Sequence, residues 1–256
     1  MYPIAERLVL DIGNSRTKVG LFSAGRLVRH GAVRTGDLSG VQDFLGSQRV
    51  ENIALGAVTD EAPAFISGLQ AIGAVSVITG RSPSHLRSDY ATQATLGVDR
   101  WANAVGASLC FPGRPVLAIS LGTCATYDLV GADGTCFGGI ISPGMRMRAR
   151  AMHEFTSRLP LVDIPEAPML IGSSTAECLA SGAHHGLRSE LRAVIADLRQ
   201  QHPGLVVVLT GGDALRFARA LENGIFAHPF LTLFGLYALS LFDRTAAGPP
   251  DPRQGR

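Results

Sequence analysis

The sequence lacks a long hydrophobic run, paired cysteines and a strong net charge, and each absence argues against a class of protein. Its longest apolar run, residues 230–242, falls short of the roughly 20 residues that cross a bilayer, so we expect a buried helix and no membrane association. The 4 cysteines are irregularly spaced without a C-x-x-C pair, and no signal peptide is recognisable, which predicts reduced thiols in a cytoplasmic protein. A net charge of +2 gives no electrostatic basis for nucleic-acid binding.

Two common nucleotide-binding motifs are also missing. Neither G-x-x-x-x-G-K-[ST] nor G-x-G-x-x-G occurs, so neither a P-loop nor a Rossmann site is supported. Lysine is nearly absent: Lys18 is the one lysine among 23 basic residues, and it lies inside a turn. The presence of this single lysine is explained either by chance in a composition biased towards arginine or by the need for a point charge that contacts phosphate oxygens. We favour the second explanation. The basic cluster Arg146, Arg148 and Arg150 has an every-second spacing that scatters side chains around a helix, which predicts a solvated surface.

What the chain does contain is a repeated strand-turn-strand device. LVLDIGNSRTKVGLF near the start is similar to VLAISLGTCATYDLV in the middle, and Gly13 maps onto Gly122 as Thr17 maps onto Thr126, both 109 positions apart (122 − 13 and 126 − 17). This spacing predicts an internally duplicated fold. Turns rich in glycine and hydroxyls expose consecutive backbone N–H groups, so two facing turns can clamp a polyphosphate.

The organisation along the chain favours two α/β domains. Short apolar strands alternate with helical segments, as in βαβ units, and 256 residues are enough for two cores. Phe111, Pro112 and Gly113 break a predicted helix over 99–110 and mark the expected joint. We therefore predict domains at 1–112 and 113–246, followed by a disordered tail at 247–256.

Two aspartates are the candidate chemical groups. Asp11 ends the first strand, where a polyphosphate would repel its carboxylate unless a cation lay between them, so it implies Mg²⁺ held through water. The alternative is an aspartate bonded to its own turn. Asp99 stands at the start of an amphipathic helix. It is either a simple N-cap or the carboxylate that accepts a proton from a phosphoryl-acceptor alcohol, with Arg100 suited to an anionic substrate.

Together with other motifs, these residues resemble a known family, the type III pantothenate kinases. The resemblance rests on an ordered set of motifs that spans nearly the whole chain: DIGNS, GVDR, LGTCATYD, GGIISPG, IGSSTAECLASG and LTGGDA. It implies two ribonuclease-H-like domains, the fold of acetate and sugar kinases, heat-shock chaperones and actin. It also implies ATP-dependent phosphorylation of the primary hydroxyl of pantothenate, the first step of coenzyme A synthesis.

The resemblance assigns roles by motif. Asp99 is expected to be the general base, and Thr175 to reach pantothenate across a homodimer interface, unless it is only the N-cap of a long helix. The other pantothenate-binding positions are Tyr90, Gly97, Val98 and Arg100. The positions expected to bind ATP phosphates and Mg²⁺ are Asp11, Ile12, Gly13, Asn14, Ser15, Arg16, Thr17, Lys18, Gly122 and Thr123.

One position departs from the family pattern. Many members carry an aspartate where this chain has Ser120, and that aspartate helps to bind an activating monovalent cation, K⁺ or NH₄⁺. A serine hydroxyl has no formal charge, so we expect no tight potassium site here.

The sequence leaves two alternative functions to consider. Relatives with this fold have been described as accessory factors for transcription, but this chain has no helix-turn-helix or basic stripe. Another kinase or a phosphatase of the superfamily, acting on a sugar or an acyl group, is disfavoured by the combination of Tyr90, the GVDR motif and Thr175.

Overall fold

The computed structural model of the chain describes residues 7–13, 16–57, 63–219, 221 and 224–246. The chain forms two compact units, the first from Met1–Gly106 with Leu231–Arg256 and the second from Ala107–Phe230. The predicted tail at 247–256 lies outside the described residues. Within the described part, no helix is both long and apolar enough to cross a membrane.

The first unit is built on a mixed five-stranded sheet. Strands β3, β2 and β1 form an antiparallel meander, β4 and β5 continue parallel to β1, and the order is β3-β2-β1-β4-β5. Its elements in chain order are β1 (Arg7–Ile12), β2 (Arg16–Ser23), β3 (Arg26–Arg34), α1 (Leu38–Leu45), β4 (Asn52–Ala57), α2 (Pro63–Gln70), β5 (Ala74–Ile78), β6 (Arg87–Ser88), a 3₁₀ turn (Gln93–Thr95), α3 (Val98–Cys110, which runs past the unit boundary) and α7 (Leu231–Ala246).

The two faces of this sheet carry different helices. Alternate residues of β1, such as Leu8 and Leu10, pack with Val41 and Leu45 of α1 and with Leu69 of α2 in one buried cluster. The opposite face packs against α7, which contacts β1, β2, β4 and β5. Because side chains alternate along a strand, Asp11 points to the face that bears α7.

The last helix is where the structure differs from the predicted domain boundaries. We expected 113–246 to form the second domain, yet α7 returns to the first sheet. Tyr237 stacks on Phe22 with ring centroids 4.4 Å apart, and the buried Arg7 side chain donates to the Ser240 carbonyl over 2.7 Å. These contacts join residues far apart in sequence, so chain order alone could not place this helix.

The second unit has the same strand order. Strands β9, β8 and β7 form an antiparallel meander, and β10 and β11 continue parallel to β7. Its elements are β7 (Val116–Leu121), β8 (Cys124–Val130), β9 (Thr135–Pro143), α4 (Met145–Glu154), α5 (Thr175–Gln201), β10 (Val206–Thr210), α6 (Ala214–Ala218) and β11 (Ile225–Ala227). Helices α4, α5 and α6 cover one face of this sheet, through residues such as Met145, Leu187 and Phe217.

The repeated order confirms the duplication read from the sequence, but the residue correspondence needs one correction. Ile12 pairs with Thr17 across the first hairpin, whereas Leu121 pairs with Ala125 across the second, so the second turn is one residue shorter. Thr17 therefore corresponds to Ala125 rather than to Thr126. Because strand side chains alternate, this single-residue difference puts Thr126 on the face opposite to the one predicted.

Candidate functional site

The β1–β2 hairpin places the one lysine of the sequence opposite an aspartate; Lys18, predicted inside the turn, lies in β2 instead. Asp11 pairs with Lys18 across the hairpin, and Lys18 Nζ lies 3.5 Å from Asp11 Oδ2. The Gly13 N–H donates to the Arg16 carbonyl over 3.2 Å, and Thr35 Oγ1 donates to the Gly13 carbonyl over 2.7 Å. A β-carbon on Gly13 would lie 3.1 Å from that Arg16 oxygen, so the turn favours glycine here.

The other residues predicted to bind phosphate near this turn have different environments. The side chains of Ile12 and Thr17 are fully buried on the core side of the sheet, so only their backbone could contact a ligand at the turn. Arg16 is exposed at the start of β2. The predicted residues Asn14 and Ser15 lie outside the described residues.

The negative charge of Asp99 acts on the carboxyl group of Asp11. The side chain of Asp11 is 12% exposed, and this burial raises the pKa of its carboxyl above the ordinary 3.8. The Lys18 ammonium opposes that rise, and the negative charge of Asp99 adds to it. The first unit thus brings together two carboxylates from distant parts of the chain, and a divalent cation nearby would relieve their repulsion.

Asp99 lies in the first turn of α3 but does not cap the helix. The Trp101 N–H donates to the Gly97 carbonyl over 3.1 Å, which makes Gly97 the capping residue and shows that the N-cap interpretation of Asp99 is wrong. A β-carbon on Gly97 would lie 2.6 Å from Asp99 Oδ1, so glycine leaves room for this carboxylate. Val98 beside it is buried. The carboxylate of Asp99 is consequently available for chemistry.

Arg100 and Tyr90 form a second pair in the first unit. Arg100 is only 5% exposed, its guanidinium carbon lies 5.4 Å from the centre of the Tyr90 ring, and its Nη1 is 3.5 Å from the tyrosine hydroxyl. The next residue, Trp101, donates from its indole N–H to the Ser82 carbonyl over 2.9 Å, which fixes the start of α3. A buried, positioned guanidinium is suited to bind a carboxylate or a phosphate.

The second turn lacks charged residues. The Gly122 N–H donates to the Cys124 carbonyl over 3.0 Å, and Thr123 is exposed at the tip. Ser120, which corresponds to Asp11, pairs with Thr126 on β8 and with Thr210 on β10, so three hydroxyl side chains lie in one row across the sheet. Thr126 and Thr210 are 7% and 0% exposed, and their hydroxyls find no hydrogen-bond partner among the described residues.

A cavity of about 380 Å³ opens beside this second turn. The residues that line it come from the turn, from α4 and from the loop after β10: Leu121, Gly122, Thr123, Arg146, Met147, Arg150, Gly212 and Asp213. The sequence predicted a solvated surface for Arg146, Arg148 and Arg150; Arg146 and Arg150 are exposed as predicted but also line this cavity, whereas Arg148 is paired with Glu190 and its side chain is only 22% exposed. The i, i+4 spacing of Arg146 and Arg150 on α4 was the available signal, because such residues share one helix face.

Thr175 begins α5, but Ser174 caps that helix. The hydroxyl of Ser174 accepts from the Glu177 N–H over 3.3 Å, and the Glu177 carboxylate accepts from the Ser173 N–H over 2.7 Å. The N-cap interpretation of Thr175 is therefore wrong. Its side chain is exposed, as is the whole first turn of this helix.

The donor set bears on which metal can bind. The described part of the chain has no cluster of three or more histidine, cysteine, aspartate or glutamate side chains that could hold a metal ion. An ion bound only with Asp11 must therefore take its other ligands from water or from a bound substrate, as Mg²⁺ does when it accompanies phosphates. The residues present fit Mg²⁺ bound in that way.

Comparison with known proteins identifies the family of this chain. The sequence model of the type III pantothenate kinase family matches residues 7–197. A type III pantothenate kinase of Phocaeicola vulgatus is 35% identical over 230 residues, covering 90% of this chain and 95% of the relative. One from Porphyromonas gingivalis is 36% identical over 236 residues, with the same shares covered.

Two solved structures share the fold at low sequence identity. A protein of the Baf family of transcriptional activators from Campylobacter jejuni aligns with a TM-score of 0.61 at 17% identity, covering 93% of this chain and 99% of its own. A ROK family glucokinase from Streptomyces griseus, solved with glucose and AMPPNP, aligns with a TM-score of 0.51 at 15% identity, covering 90% and 97%. These likenesses support the duplicated sugar-kinase type of fold.

Proposed function

This chain belongs to the type III pantothenate kinase family, and we propose that it transfers the terminal phosphoryl group of ATP to the primary hydroxyl of (R)-pantothenate. The product is 4'-phosphopantothenate, an intermediate of coenzyme A synthesis. The observation that carries the proposal is the carboxylate of Asp99, which is not used for helix capping and which interacts electrostatically with Asp11.

Asp99 is proposed to act as the general base. The attacking hydroxyl must lose its proton as its bond to phosphorus forms, and a carboxylate within hydrogen-bond reach can accept that proton. The buried guanidinium of Arg100, placed by the ring of Tyr90, supplies the charge that would bind the carboxylate of pantothenate. Gly97 and Val98 form the backbone segment that presents both side chains.

The phosphate groups are proposed to bind at the two turns. In the first turn, Lys18 and the backbone at Gly13 would contact phosphate oxygens, while Asp11 would hold Mg²⁺ through water. In the second turn, Gly122 and Thr123 would bind phosphate from the rim of the cavity. When bound, the metal neutralises charge on the transferring phosphoryl group.

A monovalent cation is proposed to act weakly at most. The family position for its ligand is Ser120, and its partners in the sheet, Thr126 and Thr210, are also neutral hydroxyls. Replacing potassium in the assay by a large organic cation should therefore reduce activity little. A strong dependence on potassium would contradict the inference from Ser120.

The active form is proposed to be a homodimer. The segment from Phe155 to Ile171 exposes several large apolar side chains just before Thr175, with Phe155 86%, Met169 74% and Ile171 82% exposed. Apolar patches of this kind mark interaction surfaces. A second copy is the occupant that would cover this segment and also bring the exposed Thr175 to a neighbouring active site.

The dimer can be tested by complementation. Asp99→Asn and Thr175→Ala chains should each have low activity, but mixing them through unfolding and refolding should restore up to about a quarter of wild-type activity, since one site in each hybrid dimer is intact. Each variant unfolded and refolded alone is the control. Failure of the mixture, with both chains still dimeric by light scattering, would contradict a role for Thr175 across the interface.

The proposed reaction is tested by ADP release. The purified chain is incubated with ATP and Mg²⁺, with and without pantothenate, and with sugars and small organic acids as controls. Release that depends on pantothenate is expected. Release with a different acceptor would reassign the substrate, and nucleotide binding without release under any condition would favour the non-catalytic, regulatory alternative.

A further inference from the structure

The cavity of the second unit contains more positive charge than its turn requires. Besides Gly122 and Thr123, it is lined by the guanidinium side chains of Arg146 and Arg150. We infer that Arg146 and Arg150 bind phosphate groups of the nucleotide and so complete the phosphate site that the second turn begins. This inference rests on the proposed kinase function, because it names further residues of the same nucleotide site.

Backbone hydrogen bonds fasten the cavity walls to the turn. The Gly144 N–H, just before α4, donates to the Thr123 carbonyl over 3.1 Å, and the Asp213 N–H donates to the Leu121 carbonyl over 3.1 Å. A β-carbon on Gly144 would collide with the carbonyl oxygens of Gly122 and Thr123, so only glycine allows α4 to begin this close. Arg146 is therefore held next to the phosphate turn by the fold itself.

The three arginines of α4 have different environments. Arg148 is ion-paired with Glu190 and donates to Ser142 Oγ over 2.8 Å, so it fixes α4 to the sheet and to α5. Arg146 and Arg150, four residues apart, lie on the helix face that lines the cavity. This split separates one arginine that stabilises the fold from two that point towards a site.

The position of Arg146 opposes the stability of its own helix. It lies in the first turn of α4, where the helix macrodipole is positive and where the helix has no acidic residue. A bound anion would remove this unfavourable interaction. Arg150 is paired with Glu154 over 2.6 Å, but the arginine side chain remains 72% exposed and can turn to a ligand.

Asp213 gives the cavity one negative charge whose effect can be tested. Its carboxylate does not cap α6. Burial raises the pKa of Asp213, while the guanidiniums of Arg146 and Arg216 act in the opposite direction. A carboxylate in this place attracts Arg146 electrostatically and repels phosphate. Removing its charge should therefore not weaken the binding of an anion, whereas removing an arginine should.

The probe is inorganic tripolyphosphate, which has no base or ribose, and its affinity for the full-length chain is measured by calorimetry. Arg146→Gln and Arg150→Gln should each weaken binding by about tenfold to a hundredfold, the range for hydrogen bonds to charged groups. Asp213→Asn should leave the affinity unchanged or increase it. Arg49→Gln, at an exposed arginine of the first unit, is the matched control and should bind as the wild type does.

Two results would overturn the inference. In the first, both arginine variants bind tripolyphosphate as the wild type does. In the second, Asp213→Asn weakens tripolyphosphate binding as much as the arginine variants do, which would indicate a general structural loss. The same preparations are assayed for ADP release, so the two proposals can fail separately. Charge-dependent tripolyphosphate binding without pantothenate-dependent release would reject the kinase function alone. Pantothenate-dependent release with unaffected arginine variants would reject the arginine site alone.

Discussion

The two units share one strand order but use the same turn differently. In the first, the aspartate and lysine that face each other across the hairpin form an ion pair, Asp11 with Lys18. In the second, the corresponding positions are Ser120 and Thr126, which are neutral, and the positive charge lies instead on α4. The two hairpins have the same strand pairing, but the charges at their corresponding positions differ. We interpret this as a division of labour, with the proposed general base and the Mg²⁺ position in the first unit and the arginine-lined part of the proposed phosphate site in the second.

The largest effect should come from removing the proposed general base of the first unit, Asp99. Asp99→Asn keeps the shape of the side chain but cannot accept a proton, so kcat should fall on the order of 10²-fold or more. Asp43→Asn, at an exposed aspartate of α1, is the control. Near-normal turnover of Asp99→Asn, with an unchanged Tm, would mean that another group is the base.

A smaller effect is expected from making the second turn resemble the first. Ser120→Asp places a carboxylate where the first unit has Asp11. The potassium concentration needed for half-maximal activation should fall by about tenfold, which corresponds to about 1.4 kcal/mol of binding free energy. Ser120→Asn is the uncharged control. An activation constant that is the same in the wild type and both variants would show that this position does not contact the cation.

The charged turn of the first unit should also cost stability. Because burial raises the pKa of Asp11 in the folded chain, the folded state favours the protonated carboxyl. Its contribution to stability is greatest below the ordinary value of 3.8 and is lost as pH rises through the raised, folded-state value. Asp11→Asn should therefore increase Tm at pH 7 relative to the wild type, with the difference disappearing in acid. Thermal unfolding at a series of pH values from below 3.8 upwards to pH 7 checks this.

The smallest effects should come from the buried hydroxyls of the two hairpins. Thr17 and Thr126 each have a hydroxyl without a partner among the described residues. Replacement by valine keeps the shape and removes the unpaired group, so Thr17→Val and Thr126→Val should each raise the free energy of unfolding by about 1 kcal/mol or leave it unchanged. Urea unfolding measures both. A loss of stability in Thr126→Val alone would indicate that the hydroxyl row of the second unit holds a bound water or ion.

The sequence by itself determined the local elements, because their signals are local. The repeated strand-turn-strand pattern predicted both hairpins, and the helix predicted over 99–110 is observed as α3 (Val98–Cys110). The ordered motifs were enough to identify the family. The roles of Asp99, Tyr90 and Thr175 stay predictions until they are measured.

Only the tertiary structure decided which distant residues meet. It returned α7 to the first sheet, placed Asp11 within electrostatic reach of Asp99, shortened the second turn by one residue and put Arg146 and Arg150 beside it. Each of these depends on packing between segments that are far apart in the chain. Periodicity and propensity report only on a residue's neighbours in sequence, so they carry no information about such contacts.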